Sequence, residues 1–264
     1  MSFLQNFLDQ WTHTPSWIKL VTLTAVITSG AVTVRFRDNY KQWKAMGPGG
    51  LPYDIRGYAI HLLAKAFVVA KEDTWDITPY DHPEKYLVAW KDASTKDKSN
   101  ATKSFLSNPL PRRKGPQARA LPFVVPHREK NENERRDPEI EKTYLKAYDK
   151  LVETNAQSIE WKTSVLEKRG KAMFLLPSIP MSPLVSKSAR EIGHIHASDL
   201  SAHVMLSLED SRQVIEKGWG ERHGLSGTKR LSLSYLMLYS PRSVEEVEIL
   251  INILQAGIDY VASE

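Results

Sequence analysis

The stretch Glu191-Ile192-Gly193-His194-Ile195-His196-Ala197-Ser198-Asp199-Leu200-Ser201-Ala202-His203-Val204-Met205-Leu206 reads as two strands joined by a turn. Polar and apolar residues alternate on either side of Ser198-Asp199, and Ser and Asp are residues that turns favour. Positions two apart on a strand face one way, so His194 and His196 share a face and Ile195 points to the other. In the partner strand, His203 and Met205 take one face while Val204 and Leu206 take the opposite one. Paired in a suitable register, the hairpin gathers three imidazoles on one surface.

Outward from this hairpin the period of two recurs at 158–165 and 171–178, joined by a turn at 167–170, and again at 233–239. Helical signals lie between and after these strands. Ser207-x-x-Asp210 resembles a capping box opening a helix that stops at Gly218, and Ser243-x-x-Glu246 caps a final helix. In that last helix Val244, Val247, Leu250, Ile251, Leu254 and Ile258 form a stripe that would cover the sheet. A further helix over 138–155 places Ile140, Tyr144, Leu145, Tyr148 and Leu151 on one side. Strands, helix, strand, helix is an α+β order, with one mainly antiparallel sheet packed by helices over 138–264.

Before residue 138 the character changes. The segment 91–137 is polar, basic and Pro-containing, the composition of a mobile loop; it ends in an apolar patch, Leu121-Pro122-Phe123-Val124-Val125-Pro126, followed by His127 and Arg128. Gly47-Pro48-Gly49-Gly50-Leu51-Pro52 lacks the Lys and Ser of a phosphate cradle and reads as a turn leading into an amphipathic helix around 55–70. Residues 36–90 are read as the helical N-terminal part of the catalytic region.

Residues 20–34 carry no charge. Extended back through Ile18 and Trp17, with Lys19 and Arg35 snorkelling, the run approaches the roughly 20 residues of a spanning helix. Phe3, Leu4, Phe7, Leu8 and Trp11 suggest an interfacial helix ahead of it. Residues 1–35 are therefore expected to anchor the chain in a membrane. Arg35, Arg37, Lys41 and Lys44 follow directly, whereas no Lys or Arg precedes Lys19, which places the rest of the chain in the cytosol. A buried core helix is the competing reading.

The 264 residues contain no cysteine, which excludes disulfides, thiolate metal sites and a Cys nucleophile. The net charge of +5 is concentrated before Pro126, and no aromatic-basic signature of nucleic-acid binding is present. Serine-hydrolase chemistry has no support, because no Gly-x-Ser-x-Gly elbow occurs. The histidines carry the chemistry instead. Any one of them alone is more often a strand residue bonded to backbone than a functional group. Three within ten residues, with His223 delivered after the Gly218 stop, point to a site. Neutral imidazoles are suitable ligands for Zn, Fe or Mn. A histidine is equally suited to deprotonating an acidic hydroxyl without a metal, with Arg190, Arg222 and Arg242 holding the anion. Trp219 and Tyr239 offer aromatic faces, and core packing explains them equally well.

Four segments together resemble the fungal luciferases: 171–180 (KAMFLLPSIP); Arg190-Glu191-Ile192 with the His-x-His; 217–223 (KGWGERH); and Leu238-Tyr239-Ser240-Pro241-Arg242. Weaker similarity covers 36–90. The resemblance implies a membrane-anchored oxygenase, placed at the endoplasmic reticulum and facing the cytosol, that adds O2 to 3-hydroxyhispidin. Carbon dioxide is then lost and green light emitted, with neither metal nor organic cofactor. It implies His194, His196, His203, His223 and Arg222 as catalytic residues, and Arg190, Trp219, Glu221, Tyr239 and Arg242 around the substrate. A non-luminous paralogue binding an aromatic or pyrone metabolite, and a His-ligated metal enzyme, are the alternatives.

Overall fold

The computed structural model describes residues 3–69, 73–129 and 137–263, which fall into two compact units, 1–45 and 46–264. The first unit holds α1 (Phe3–His13) and α2 (Ser16–Ala45). α2 is long and apolar enough, by length and composition, to cross a membrane, and Leu20, Val21, Leu23, Val26, Ile27 and Val32 are all exposed on it. It runs ten residues past the expected end at 35, because the basic stretch after Val34 contains no helix breaker. Phe7 and Trp11, one turn apart on α1, stack with ring centroids 6.2 Å apart; the side chains of Phe3, Leu4 and Leu8 lie outside the described residues.

The second unit is α+β. It contains α3 (Ile55–Phe67), the single turn α4 (Pro83–Tyr86), α5 (Thr95–Thr102), α6 (Pro138–Thr154), α7 (Leu208–Glu216) and α8 (Val244–Val261). The strands are β1 (Ile159–Thr163), β2 (Lys171–Leu175), β3 (Glu191–Ile195), β4 (Ala202–Met205), β5 (Gly220–Arg222) and β6 (Tyr235–Leu238). They form one sheet in the order β1-β2-β3-β4-β6-β5, and every neighbouring pair is antiparallel.

Both serine caps form as their spacing predicts: Ser207 accepts from the Asp210 amide and Ser243 from the Glu246 amide. Each satisfies an amide that the first helical turn leaves without an intrahelical partner. α8 packs across β3 and β4. Val247, Leu250, Leu254 and Ile258 are buried as expected, together with Ile253, whereas Val244 lies at the helix start and is exposed. In α6, Tyr144, Tyr148 and Leu151 are buried, whereas Leu145 is largely exposed. The Tyr148 hydroxyl donates to the Gly193 carbonyl over 3.2 Å.

Two expectations change. The segment 91–137, read as a mobile loop, is structured over its described part. It contains α5, and Leu110, Phe123 and His127 are buried. Polar composition misled there because Arg113 and Arg128 are consumed by buried ion pairs with Glu246 and Glu167. β5 was not expected at all. Three residues are too few to show a period of two, and the strand begins directly after Gly218 turns the chain with φ +82°.

Candidate functional site

The site begins at one cross-strand pair. His194 of β3 lies directly opposite His203 of β4. Gly193 permits that close approach: a Cβ there would sit 2.4 Å from the His203 carbonyl oxygen. His196 follows β3, its amide donating to Ser201 across the turn. Adjacent β6 places Met237 opposite His203, and Tyr235, on the same face, stacks on the His203 ring at 4.8 Å. Sequence distance then closes. His223, just past β5, and His127, from the segment before α6, bring their rings 5.2 and 5.5 Å from His203. Five buried imidazoles thus cluster here, four of them around the His203 ring.

Their hydrogen-bond partners assign the protons. His194 Nδ1 donates to Glu191 Oε1 at 2.6 Å, and that carboxylate is fixed by the Ser164 hydroxyl and the Val165 amide. His196 Nδ1 donates to Ser201 Oγ at 2.8 Å, and Ser201 in turn donates to Asp199 Oδ2 at 2.8 Å. His203 Nδ1 donates to the Leu236 carbonyl at 3.0 Å. In all three rings Nδ1 carries the proton and Nε2 is the basic nitrogen. The Nε2 atoms of His194 and His196 are buried and have no partner. His223 differs: its Nδ1 accepts from the Leu225 amide at 3.0 Å, so its proton is on Nε2.

Burial pushes His196, His203 and His223 well below the ordinary histidine range, because a charged ring would lose its hydration. The Arg128 guanidinium adds to this at His196 and His223. These three rings are neutral near pH 7. One ring nitrogen each from His194, His196 and His203 lies within 4.8 Å of the others, and the same holds for His127, His203 and His223. A cleft of about 650 Å³ reaches the nest from the side of His194 and His196, with Arg128, Tyr148 and Trp161 also in its walls.

The structure brings together His194, His196, His203 and His223, and leaves the other expected residues elsewhere. Arg222 is opposite Leu236 in the ladder, whereas Glu221 is opposite Met237. Because side chains alternate, Arg222 faces away from His203, and its guanidinium donates to the Asp73 carbonyl. Arg190 is spent on the carbonyls of Leu175, Leu176 and Ile179, and Arg242 on those of Lys114 and Pro116. The Trp219 indole donates to the Pro111 carbonyl from a buried position. Glu221 and Tyr239 bond each other at 2.7 Å, with Trp75 donating to the Tyr239 hydroxyl. Glu221 touches the edge of the nest, 3.8 Å from His127 Nε2, and Tyr239 reaches it only through Glu221.

In place of Arg222, the cation beside the nest is Arg128, held by Glu167 and by the Ser198 hydroxyl. Sequence reasoning also missed His127, Glu191 and the partnership of Asp199 with Ser201. The signal for His127 and Arg128 was an apolar patch ending in His-Arg within a polar run. Glu191 sits three residues before His194 and was legible only as strand.

Residues 189–257 match the family model described as the Luciferase domain. Three curated relatives, all fungal proteins named luciferase, align along most of the chain. The protein of Armillaria gallica is 27% identical, covering 89% of this chain and 85% of its own. That of Neonothopanus nambi is 27% identical, covering 92% and 88%. That of Armillaria mellea is 26% identical, again covering 92% and 88%. No solved structure matches. From β3 through most of α8 the chain carries the Luciferase-domain pattern, and it is similar to fungal luciferases along about nine-tenths of its length.

Proposed function

We propose that the chain is a luciferase-type oxygenase that combines O2 with a hydroxylated α-pyrone, 3-hydroxyhispidin. The observation that carries this reading is the pair of bare, buried nitrogens on His194 and His196 at the wall of an aromatic-lined cleft. An α-pyrone bearing an acidic hydroxyl is planar, and Tyr148 and Trp161 offer faces for it. Ionising that hydroxyl makes the ring electron-rich enough to react with O2 directly. One of the two bare imidazole nitrogens takes the hydroxyl proton, and Arg128 at the same wall, though paired with Glu167, adds positive charge that favours the anion. Addition of O2 gives a cyclic peroxide; loss of CO2 from it leaves caffeylpyruvate in an excited state that emits green light. The rings of the nest are themselves buried, which keeps bulk water away and protects charge stabilisation and the emitter alike.

α2 serves in this reading as a membrane anchor, at the endoplasmic reticulum, with unit 46–264 in the cytosol. Its exposed apolar side chains and the basic residues from Arg35 to Lys44 support that orientation. The test is direct: detergent-solubilised protein is mixed with 3-hydroxyhispidin in air, and photons, O2 uptake and CO2 release are followed. Equimolar O2 consumption and CO2 release with light is the expected result. Tight binding of the pyrone with no O2 uptake would identify a binding protein instead.

A further inference from the structure

We propose that His194, His196 and His203 form a binding site for one divalent first-row transition ion of the imidazole-preferring class, such as Zn2+, Fe2+ or Co2+. The site uses the same nitrogens of His194 and His196 on which the proposed function rests, so a bound ion would polarise the acidic hydroxyl in place of the bare rings. Its three rings come from one hairpin: two are cross-strand partners and the third closes the turn. Each has its Nδ1 proton committed to a different acceptor, namely Glu191, Ser201 or the Leu236 carbonyl. That pattern, a ring held from behind with its free nitrogen aimed forward, is how metal-bound histidines are oriented. The forward nitrogens of His194 and His196 are buried and bond to nothing, a cost that an ion would repay.

The ligand nitrogens lie within 4.8 Å of one another. A tetrahedral ion at about 2.1 Å from each needs them roughly 3.4 Å apart, so the rings close inward on binding. Glu191 and Asp199 stand one and two hydrogen bonds behind the ligands, so two carboxylates balance a double positive charge. Arg128, which lines the same cleft, is itself paired with Glu167. The alternative trio of His127, His203 and His223 fails on chemistry: the lone pair of His223 Nδ1 is taken by the Leu225 amide, which leaves a protonated Nε2. His194 and His196 also line the cleft, the route by which a further ligand would reach the ion. Such a site has three protein ligands and an open coordination position, the arrangement of catalytic rather than structural ions.

The experiment uses the untagged full-length protein in detergent, stripped with chelator and titrated with Co2+. Bound metal is read by elemental analysis, and coordination by the visible d–d bands. One ion per chain with bands typical of four- or five-coordinate Co2+ is expected. His196→Gln should weaken binding more than 100-fold. Glu191→Gln, nearly isosteric and outside the ligand set, should weaken it 10–100-fold with an unchanged circular dichroism spectrum. His127→Gln should leave it within threefold. Less than a tenth of an equivalent at saturating Co2+ in the wild type would overturn the proposal. So would loss of binding in His127→Gln with retention in His196→Gln. None of these readouts involves a luciferin, so a protein that binds metal without making light, or the reverse, separates this proposal from the functional one.

Discussion

His194 and His203 face each other across β3 and β4, their rings edge-on with centroids 5.4 Å apart. The pairing makes the nest a property of the hairpin register. A slip by one residue would send both rings to the side that α8 covers, where buried Val204, Leu236 and Leu238 leave no room for them.

Because His194 and His196 line the cleft and carry the unpartnered nitrogens, His194→Ala or His196→Ala is expected to lower turnover of 3-hydroxyhispidin at least ~100-fold, the scale for loss of a proton-transfer group. Initial O2 uptake under saturating substrate measures this. Near-normal rates in both variants would show that the nest is structural.

The proposed function gives anion support to Arg128, which lines the cleft, whereas the ladder turns Arg222 away from the histidines. Arg128→Met is expected to reduce kcat/KM by roughly tenfold or more, since guanidinium support of an anion is a charge-assisted interaction. Arg222→Met should lower the Tm while leaving KM within about twofold, because Arg222 points away from the histidines. Steady-state kinetics beside thermal melts distinguish the two. A large KM effect at Arg222 alone would reverse the assignment.

His61 gives an acid limb to stability. It is buried, and its Nδ1 accepts from the Val124 amide over 3.4 Å. Burial, with Lys65 adding to it, lowers its pKa to about 4. A base depressed in the folded state adds stability above its unfolded pKa of about 6.5, and that contribution is lost as pH falls from there toward 4. His196, His203 and His223 act in the same direction. The wild type should therefore lose Tm between pH 7 and 4.5, and His61→Gln, which keeps an acceptor but does not titrate, should lose less. Parallel melts across that range decide it.

Leu250 of α8 is fully buried in the core that covers the sheet. Leu250→Ala is expected to cost about 2–5 kcal/mol, the transfer term plus the cavity left behind. Denaturant unfolding of the full chain measures it, and a cost below about 1 kcal/mol would contradict the packing described.

α2 exposes its apolar side chains along the uncharged run 20–34. Full-length protein is expected to stay with membranes through alkaline carbonate extraction, whereas the segment 46–264 alone should be released to the supernatant. Fractionation followed by immunoblotting reads the difference.

Much of this protein could be read from its residues one segment at a time. Alternation fixed the hairpin that carries His194, His196 and His203, and Ser207 and Ser243 announced their helices by spacing that only a capped first turn explains. The uncharged run before Arg35, extended back to Trp17 with its flanking cations snorkelling, made 1–35 a candidate anchor. These are local properties, set by backbone periodicity and hydrogen-bond geometry within a few residues. The rest depended on which strands became neighbours. Only the β5–β6 register shows that Arg222 faces away while Glu221 faces the nest. Only the folded chain brings His127 and Arg128 beside residues some 70 positions later, with Arg128 bonded to Ser198. Nor does spacing reveal that Glu191 and Ser201 hold the Nδ1 protons that leave two nitrogens bare. Long-range pairing decided these points, because the direction of a side chain and the partner of a buried charge are set by whatever packs against them, wherever in the sequence it lies.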